Sequence, residues 1–121
     1  MTGGAGGIGS GCVKLLLENG AKVVIFDVLP QEKGDEVAKG YGKDVMYVQA
    51  DITNSEKCKA AVEKAATFGA LKILVHCAGI AKKREWSNDL ADSIADFELM
   101  LKVNTTGVRL SSCDPDAPGH H

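Results

Sequence analysis

The chain has 121 residues, which suits one domain and leaves no room for two. Hydrophobic residues make up 45% and charged residues 25%, the composition of an ordinary globular protein. The formal net charge is −2, no basic stripe with interleaved aromatics stands out, and the longest apolar run is far too short for a bilayer, so neither nucleic acid nor membrane is an expected partner.

The N-terminus opens on glycines instead of a charged and then apolar stretch, so no secretory signal is expected. Thr2-Gly3-Gly4-Ala5-Gly6-Gly7-Ile8-Gly9 is read as a phosphate-cradling loop. Glycines serve such a loop in two ways: some positions need positive φ, and a β-carbon would hold the backbone away from a pyrophosphate. The helix that follows then turns its free N–H groups and positive end toward the phosphates. A P-loop would need Gly-Lys-Ser/Thr, and Gly9 is followed by Ser10-Gly11-Cys12, which excludes it. Two spacings fit the segment at once: GxGxxG through Gly4, Gly6 and Gly9, and TGxxxGxG through Gly3, Gly7 and Gly9.

Cys12, Val13, Leu16 and Leu17 recur at helical spacing, with Asn19-Gly20 as a stop. Residues 22–26 are a β-branched run ending at Asp27, which stands 18 residues after Gly9. At that place a carboxylate accepts hydrogen bonds from ribose hydroxyls and repels a 2′-phosphate. Val28 and Leu29 supply no compensating cation, so NAD is expected over NADP. A weaker helix, interrupted by Gly34, is expected over Gln31–Tyr41, then a second apolar run over residues 45–48 that ends near Asp51. Thr53-Asn54-Ser55-Glu56 fits a capping box for a helix running to Phe68. A third apolar run covers residues 72–76 and ends at Cys77-Ala78-Gly79. A last helix is expected to start between Asp92 and Asp96, with Phe97, Met100, Leu101 and Val108 on one stripe and Asn104 on it as a buried amide. Residues 111–121 lack periodicity and read as a disordered tail after a single domain over residues 1–110.

Alternating strand and helix patterns imply βαβ units, hence an α/β fold with a parallel sheet covered by helices on both faces. The four cysteines, at positions 12, 58, 77 and 113, form no CxxC pair and have no histidine cluster beside them; they are expected to be free thiols, not zinc ligands. In a doubly wound sheet of order 3-2-1-4-5-6 the first strand runs into the glycine loop, and only Met1 stands where it should end. The chain is therefore expected to be truncated at both ends and only marginally stable alone, with a gap or shifted pairing beside residues 22–26.

Four features in this order resemble the short-chain dehydrogenase/reductase family. Thr2-Gly3-x-x-x-Gly7-Ile8-Gly9 is similar to its cofactor loop, and Asp51 with Ile52 to the pair that meets the adenine ring. Cys77-Ala78-Gly79-Ile80 is similar to its NNAG segment, with His76 where asparagine is usual, and Val103-Asn104-x-x-Gly107 to the helix carrying its catalytic asparagine. The stretch from His76 to Ala81 and that from Asp96 to Gly107 look most like the subgroup acting on 3-hydroxyacyl-CoA.

The resemblance implies a partial Rossmann fold and an oxidoreductase exchanging hydride between NAD and an alcohol or ketone. The implied cofactor-binding residues are Gly3, Gly7, Ile8, Gly9, Asp27, Asp51, Ile52, Ala78 and Gly79, and the implied catalytic residue is Asn104. It further implies homo-oligomers for full-length forms and a cytoplasmic location, or a mitochondrial one if a presequence preceded Met1. The family's reaction uses a tyrosine base whose pKa is lowered by a lysine four residues on, because an unperturbed phenol near pKa ~10 is a poor base at neutral pH. Val45 follows Tyr41 and Asp51 follows Tyr47 at that distance, so neither tyrosine forms YxxxK, and neither Ser111 nor Ser112 is assigned as the catalytic serine. The reading is thus of an inactive cofactor-binding part. The alternatives are a short non-enzymatic nucleotide-binding or interaction module, and a Rossmann protein for flavin or a nucleoside sugar.

Overall fold

The computed structural model describes residues 1–81 and 90–111. Helix α1 (Gly7–Glu18) leads through Gly20, in the left-handed region at φ 78°, into strand β1 (Val23–Asp27). Helix α2 (Gln31–Tyr41) and strand β2 (Val45–Gln49) follow, and the two strands pair in parallel with Val23 opposite Val45 and Asp27 opposite Gln49. Helix α3 (Ser55–Ala66) and helix α4 (Leu90–Leu101) come next. A π-helical stretch over Lys102–Gly107 and a last turn, α5 (Val108–Ser111), continue from α4.

Successive strand side chains point to opposite faces, so a strand buried on both sides must be apolar throughout. Val23 to Phe26 meet that demand. Val23, Ile25, Val45 and Tyr47 join Val13 of α1 and Ala38 of α2 in one core layer. Val24, Phe26, Val48 and Ala50 join Ala61 and Ala65 of α3 in the other. Helices on both faces of a parallel sheet are the expected α/β architecture.

Gly34, an apparent flaw in α2, has a packing role. A β-carbon there would lie 2.0 Å from the Tyr47 ring, so the glycine is what lets the helix lie against that ring. The Tyr47 hydroxyl lies within hydrogen-bond reach of the Asp27 and Leu29 carbonyls, at 2.9 and 2.7 Å, and burial first, with Asp27 and Asp35 adding, pushes it up to about 12.

Three expectations need correction. The cap of α3 is Asn54, whose side chain accepts from the Lys57 N–H at 2.9 Å; the Thr53 hydroxyl donates to Asp51 instead, and the helix ends at Ala66. The last helix begins at Leu90, before the expected window. The third apolar run is not a strand. Only His76 forms a bridge, to Thr2, and Leu71, Ile73 and Leu74 are exposed.

A strand exists by its ladder, and the ladder partner here is three residues long. Thr2 bridges Phe26 on one side and His76 on the other, both in parallel. The Thr2 N–H donates to Val75 O, the Cys77 N–H to Thr2 O, the Gly3 N–H to Phe26 O and the Phe26 N–H to Met1 O. Met1 to Gly3 thus occupy a central position between β1 and the 75–77 segment, as the order 3-2-1-4 requires. Before Met1 the pairing stops, and a cavity of about 570 Å³ separates Lys22–Val24 from Leu71–Val75. This is the gap expected beside β1, displaced toward its N-terminal end.

The apolar stripe of the last helix is largely uncovered, with Phe97 57% and Leu101 46% exposed. Ser111 closes α5, one residue into the expected tail; the rest of that tail, with Ser112, Cys113, His120 and His121, lies outside the described residues.

Candidate cofactor site

The structure chooses between the two glycine spacings. Gly3 and Gly7 lie in the left-handed region, at φ 66° and 54°. A β-carbon on Gly3 would strike the Ala78 nitrogen at 2.5 Å, and one on Gly9 the Gly3 carbonyl oxygen at 2.0 Å. Gly6 is extended at φ −163° with open space around it, and Gly4 would meet only Ile25 and Met1 side chains. The positions that need glycine are therefore those of TGxxxGxG.

These contacts stack the loop in order: the start of α1 rests on Gly3, and Gly3 rests on Cys77 and Ala78. Gly6 caps α1 without a side-chain hydrogen bond, and the first turn holds no acid. The first N–H groups of α1 are left to a ligand, and the first turn itself carries no acid to repel an anion. Ile8 is 83% exposed beside them. A pyrophosphate fits this end of the helix: its N–H donors are free, and a β-carbon at Gly6 or Gly7 would project into space that the chain leaves open.

Asp27 closes β1 with its carboxylate turned to the loop. Its Oδ2 accepts from the Ala5 N–H at 3.1 Å and its Oδ1 from the Val28 N–H at 2.8 Å. Each oxygen keeps lone pairs for a further donor. The same carboxylate therefore shapes the loop and can take hydroxyl hydrogen bonds.

Asp51 lies two residues past β2. Its Oδ1 accepts from the Thr53 N–H at 2.9 Å and the Thr53 hydroxyl at 2.8 Å. Those two bonds, with Lys102 and Lys57 adding, hold its carboxyl below the usual range. Ile52 is buried, and a β-carbon on Gly107 would lie 2.8 Å from it, so Ile52 joins this corner to the π-helical stretch.

The third wall is the 76–80 segment. The fully buried Thr2 side chain lies 3.1 Å from His76 Nδ1 and accepts from the Ala78 N–H at 3.3 Å. A neutral imidazole accepting at Nδ1 lets the Thr2 hydroxyl donate and accept at once. Burial, and then the nearby N-terminal charge, pushes the His76 pKa down, in keeping with that form.

Asn104 is exposed, which corrects the expectation of a buried amide, yet it has found partners. Its Oδ1 accepts from the Ile80 N–H at 2.9 Å and its Nδ2 donates to the Ile80 carbonyl at 2.8 Å. A β-carbon on Gly79 would come within 3.3 Å of that Oδ1. The amide clamps the segment after Gly79 onto the π-helical stretch. The expected site residues thus fall into a loop group (Gly3, Gly7, Ile8, Gly9, Asp27, Ala78) and a clamp group (Gly79, Asn104), with Asp51 and Ile52 at the corner beside the π stretch. Sequence reasoning missed Thr2 as the buried hub and Ala5 as the loop partner of Asp27. A lone threonine before glycines was the available signal for the first, and none existed for the second.

A glycine loop at a helix N-terminus, an acid closing the next strand and a parallel sheet covered on both faces define a dinucleotide-binding α/β domain. The family model described as short chain dehydrogenase matches residues 1–112, and the chain belongs to that family of nicotinamide-dependent oxidoreductases. It is 38% identical over 120 residues to the 3-hydroxyacyl-CoA dehydrogenase type-2 of Drosophila melanogaster, covering 93% of this chain and 47% of that protein. Secoisolariciresinol dehydrogenase of Forsythia intermedia is 39% identical over 112 residues, covering 91% and 40%. Among solved structures, a 3-ketoacyl-(acyl-carrier-protein) reductase from Brucella melitensis, complexed with NADH, superposes with a TM-score of 0.72 at 31% identity, covering 92% of this chain and 45% of that one. The chain spans less than half the length of these proteins. Among the described residues no helix is long and apolar enough to cross a membrane, and no group of metal-ligating side chains gathers.

Proposed function

We propose that this chain is the NAD-binding part of an oxidoreductase acting on an alcohol or ketone, with 3-hydroxyacyl-CoA as the favoured substrate class. The observation that carries the reading is Asp27: its carboxylate is fixed by the Ala5 N–H beside the anion-accepting end of α1. Phosphates on that helix end would set the adenosine ribose near this carboxylate, whose charge would admit two hydroxyls and repel a 2′-phosphate. Asp51 and Ile52 would flank the adenine, and Ala78 and Gly79 would line the nicotinamide side.

The nicotinamide, when bound, supplies the hydride acceptor. Asn104 is the one residue of the proton relay carried here. Both ends of its amide are engaged by Ile80, so its side chain fixes the backbone of the clamp. The substrate assignment rests on likeness to the Drosophila dehydrogenase and on the 76–81 and 96–107 stretches of sequence.

Calorimetric titration of the purified chain with NAD+ and with NADP+ tests the reading. Tighter binding of NAD+ is expected; equal or tighter NADP+, or no heat from either, would overturn it. Neither tyrosine forms YxxxK, so turnover of an alcohol with NAD+ is expected to be absent from this chain alone.

A further inference from the structure

We infer that Tyr47 is a positioning residue for cofactor choice: its hydroxyl, together with the Gln31 amide, ties the turn over residues 27–31 to β2 and so holds the Asp27 carboxylate toward the loop. That role rests on the reading of Asp27 as the acid that meets the ribose. Two ties make the connection. From β2, the Tyr47 hydroxyl lies 2.9 Å from the Asp27 carbonyl oxygen and 2.7 Å from that of Leu29. A phenol has one proton to give, so the two carbonyls share it and are kept on one side of the turn. From the turn, Gln31 reaches back to β2. Its Nε2 donates to Tyr47 O at 3.1 Å, and its Oε1 accepts from the Gln49 N–H at 3.0 Å.

The two carbonyls do not need the hydroxyl equally. Asp27 O already accepts the Ala50 N–H of the ladder at 2.9 Å. Strand β1 ends at Asp27, so the ladder does not extend to Leu29, and the hydroxyl's particular contribution is to hold the far side of the turn. Val28, between the two, gives its N–H to Asp27 Oδ1 at 2.8 Å, one of the two bonds that orient the carboxylate. The other comes from the Ala5 N–H at 3.1 Å. In a loosened turn the carboxylate keeps only the longer bond, and its charge can swing away from the place where a 2′-phosphate would stand. The tie has a rigid base. The Tyr47 side chain is fully buried, and Gly34 of α2 lies so close that no β-carbon fits between helix and ring. Burial first, then the Asp27 and Asp35 charges, push the phenol up to about 12, so it keeps its proton at neutral pH.

Calorimetric titration of the wild-type chain, Tyr47→Phe and Gln31→Ala with NAD+ and NADP+ tests this. Phenylalanine keeps the ring against Gly34 and removes only the hydroxyl. In Tyr47→Phe the NAD+ affinity is expected to fall about fivefold while that for NADP+ stays within about twofold, so the preference shrinks. A mere loss of stability would weaken both nucleotides by the same factor and leave their ratio unchanged. Gln31→Ala, at the other end of the turn, should move the ratio in the same direction, and it carries the test if Tyr47→Phe does not fold. Without nucleotide, the amide order parameters of Val28 and Leu29 should drop in Tyr47→Phe while those of Val24 and Val48 hold. A wild type that binds neither nucleotide, or prefers NADP+, would overturn the NAD reading and this inference together. A wild type that prefers NAD+, beside variants whose preference is unchanged or whose residues 28 and 29 stay as ordered, would overturn this inference alone.

Discussion

Asp27 carries most of the functional reading, and it does so through two contacts at once. Replacing it with asparagine keeps one oxygen acceptor and removes the charge that repels a 2′-phosphate. For Asp27→Asn the NAD+ affinity should fall about tenfold with the loss of charge-assisted bonds, and the preference over NADP+ should shrink or vanish. Parallel titrations with the two nucleotides check this, and an unchanged preference would remove Asp27 from the site. His76 and Asp51 make a second prediction at this scale. Both have lowered folded pKa values, so the unfolded chain binds more protons in each window and stability rises with pH through both. The His76 share is whole above its ordinary value of 6.5 and is lost as pH falls below it; the Asp51 share is whole above 3.8 and is lost below that. Thermal midpoints measured from pH 8 to pH 3 should fall throughout, the Met1 ammonium adding to the loss below 8.0, and His76→Asn should flatten the part of the fall just below pH 6.5.

Among the elements, legibility followed the ladder and the periodicity. The β-branched runs of β1 and β2 and the span of α2 were readable because each segment's own pattern agrees with the packing it receives. Residues 72–76 read equally well as a strand and are not one, since the run's apolar pattern says nothing about whether a partner strand reaches it. Met1 to Gly3 stop at Val75, so Leu71 to Leu74 have no ladder to join. The π-helical stretch was invisible for a related reason: its extra residue per turn arises beside the Asn104 clamp on Ile80, a contact between distant parts of the sequence. Gly34 was legible only as a weakness. Gly34→Ala should gain up to about 1 kcal/mol of helix propensity and still lose roughly 1–3 kcal/mol net, because a β-carbon would overlap the Tyr47 ring and that ring is fully buried. Urea unfolding of the variant gives the value; a stabilised protein would mean that α2 can move off β2.

At the scale of the whole molecule, backbone hydrogen bonds run on both sides of Met1 to Gly3, and a cavity lies between residues 22–24 and 71–75. On the β1 side the Met1 ammonium donates to Val24 O at 2.6 Å. Burial pushes the pKa of that ammonium down, which marks a charge held where an amide would cost less. On the far side Leu71 to Leu74 present their backbone and apolar side chains to a cavity of about 570 Å³. At ~3.3 Å per residue, three to five added residues would run the length of this wall. An N-terminal extension of alternating valines should therefore enter in parallel, turn the Met1 ammonium into an amide, and bring residues 71–75 into a ladder on its other side. The glycine loop would then hang from a full strand instead of three residues, so its positions should be fixed before a nucleotide arrives. The expected outcome is a thermal midpoint higher by at least several degrees. Amide exchange at Ile73 and Val75 should slow, and NAD+ should bind more tightly, by reduced ordering cost at an unaltered set of contacts. An extension of the same length with alternating prolines supplies the control, since proline cannot donate to the ladder. If both extensions raised the midpoint equally, the added segment would not be pairing as a strand.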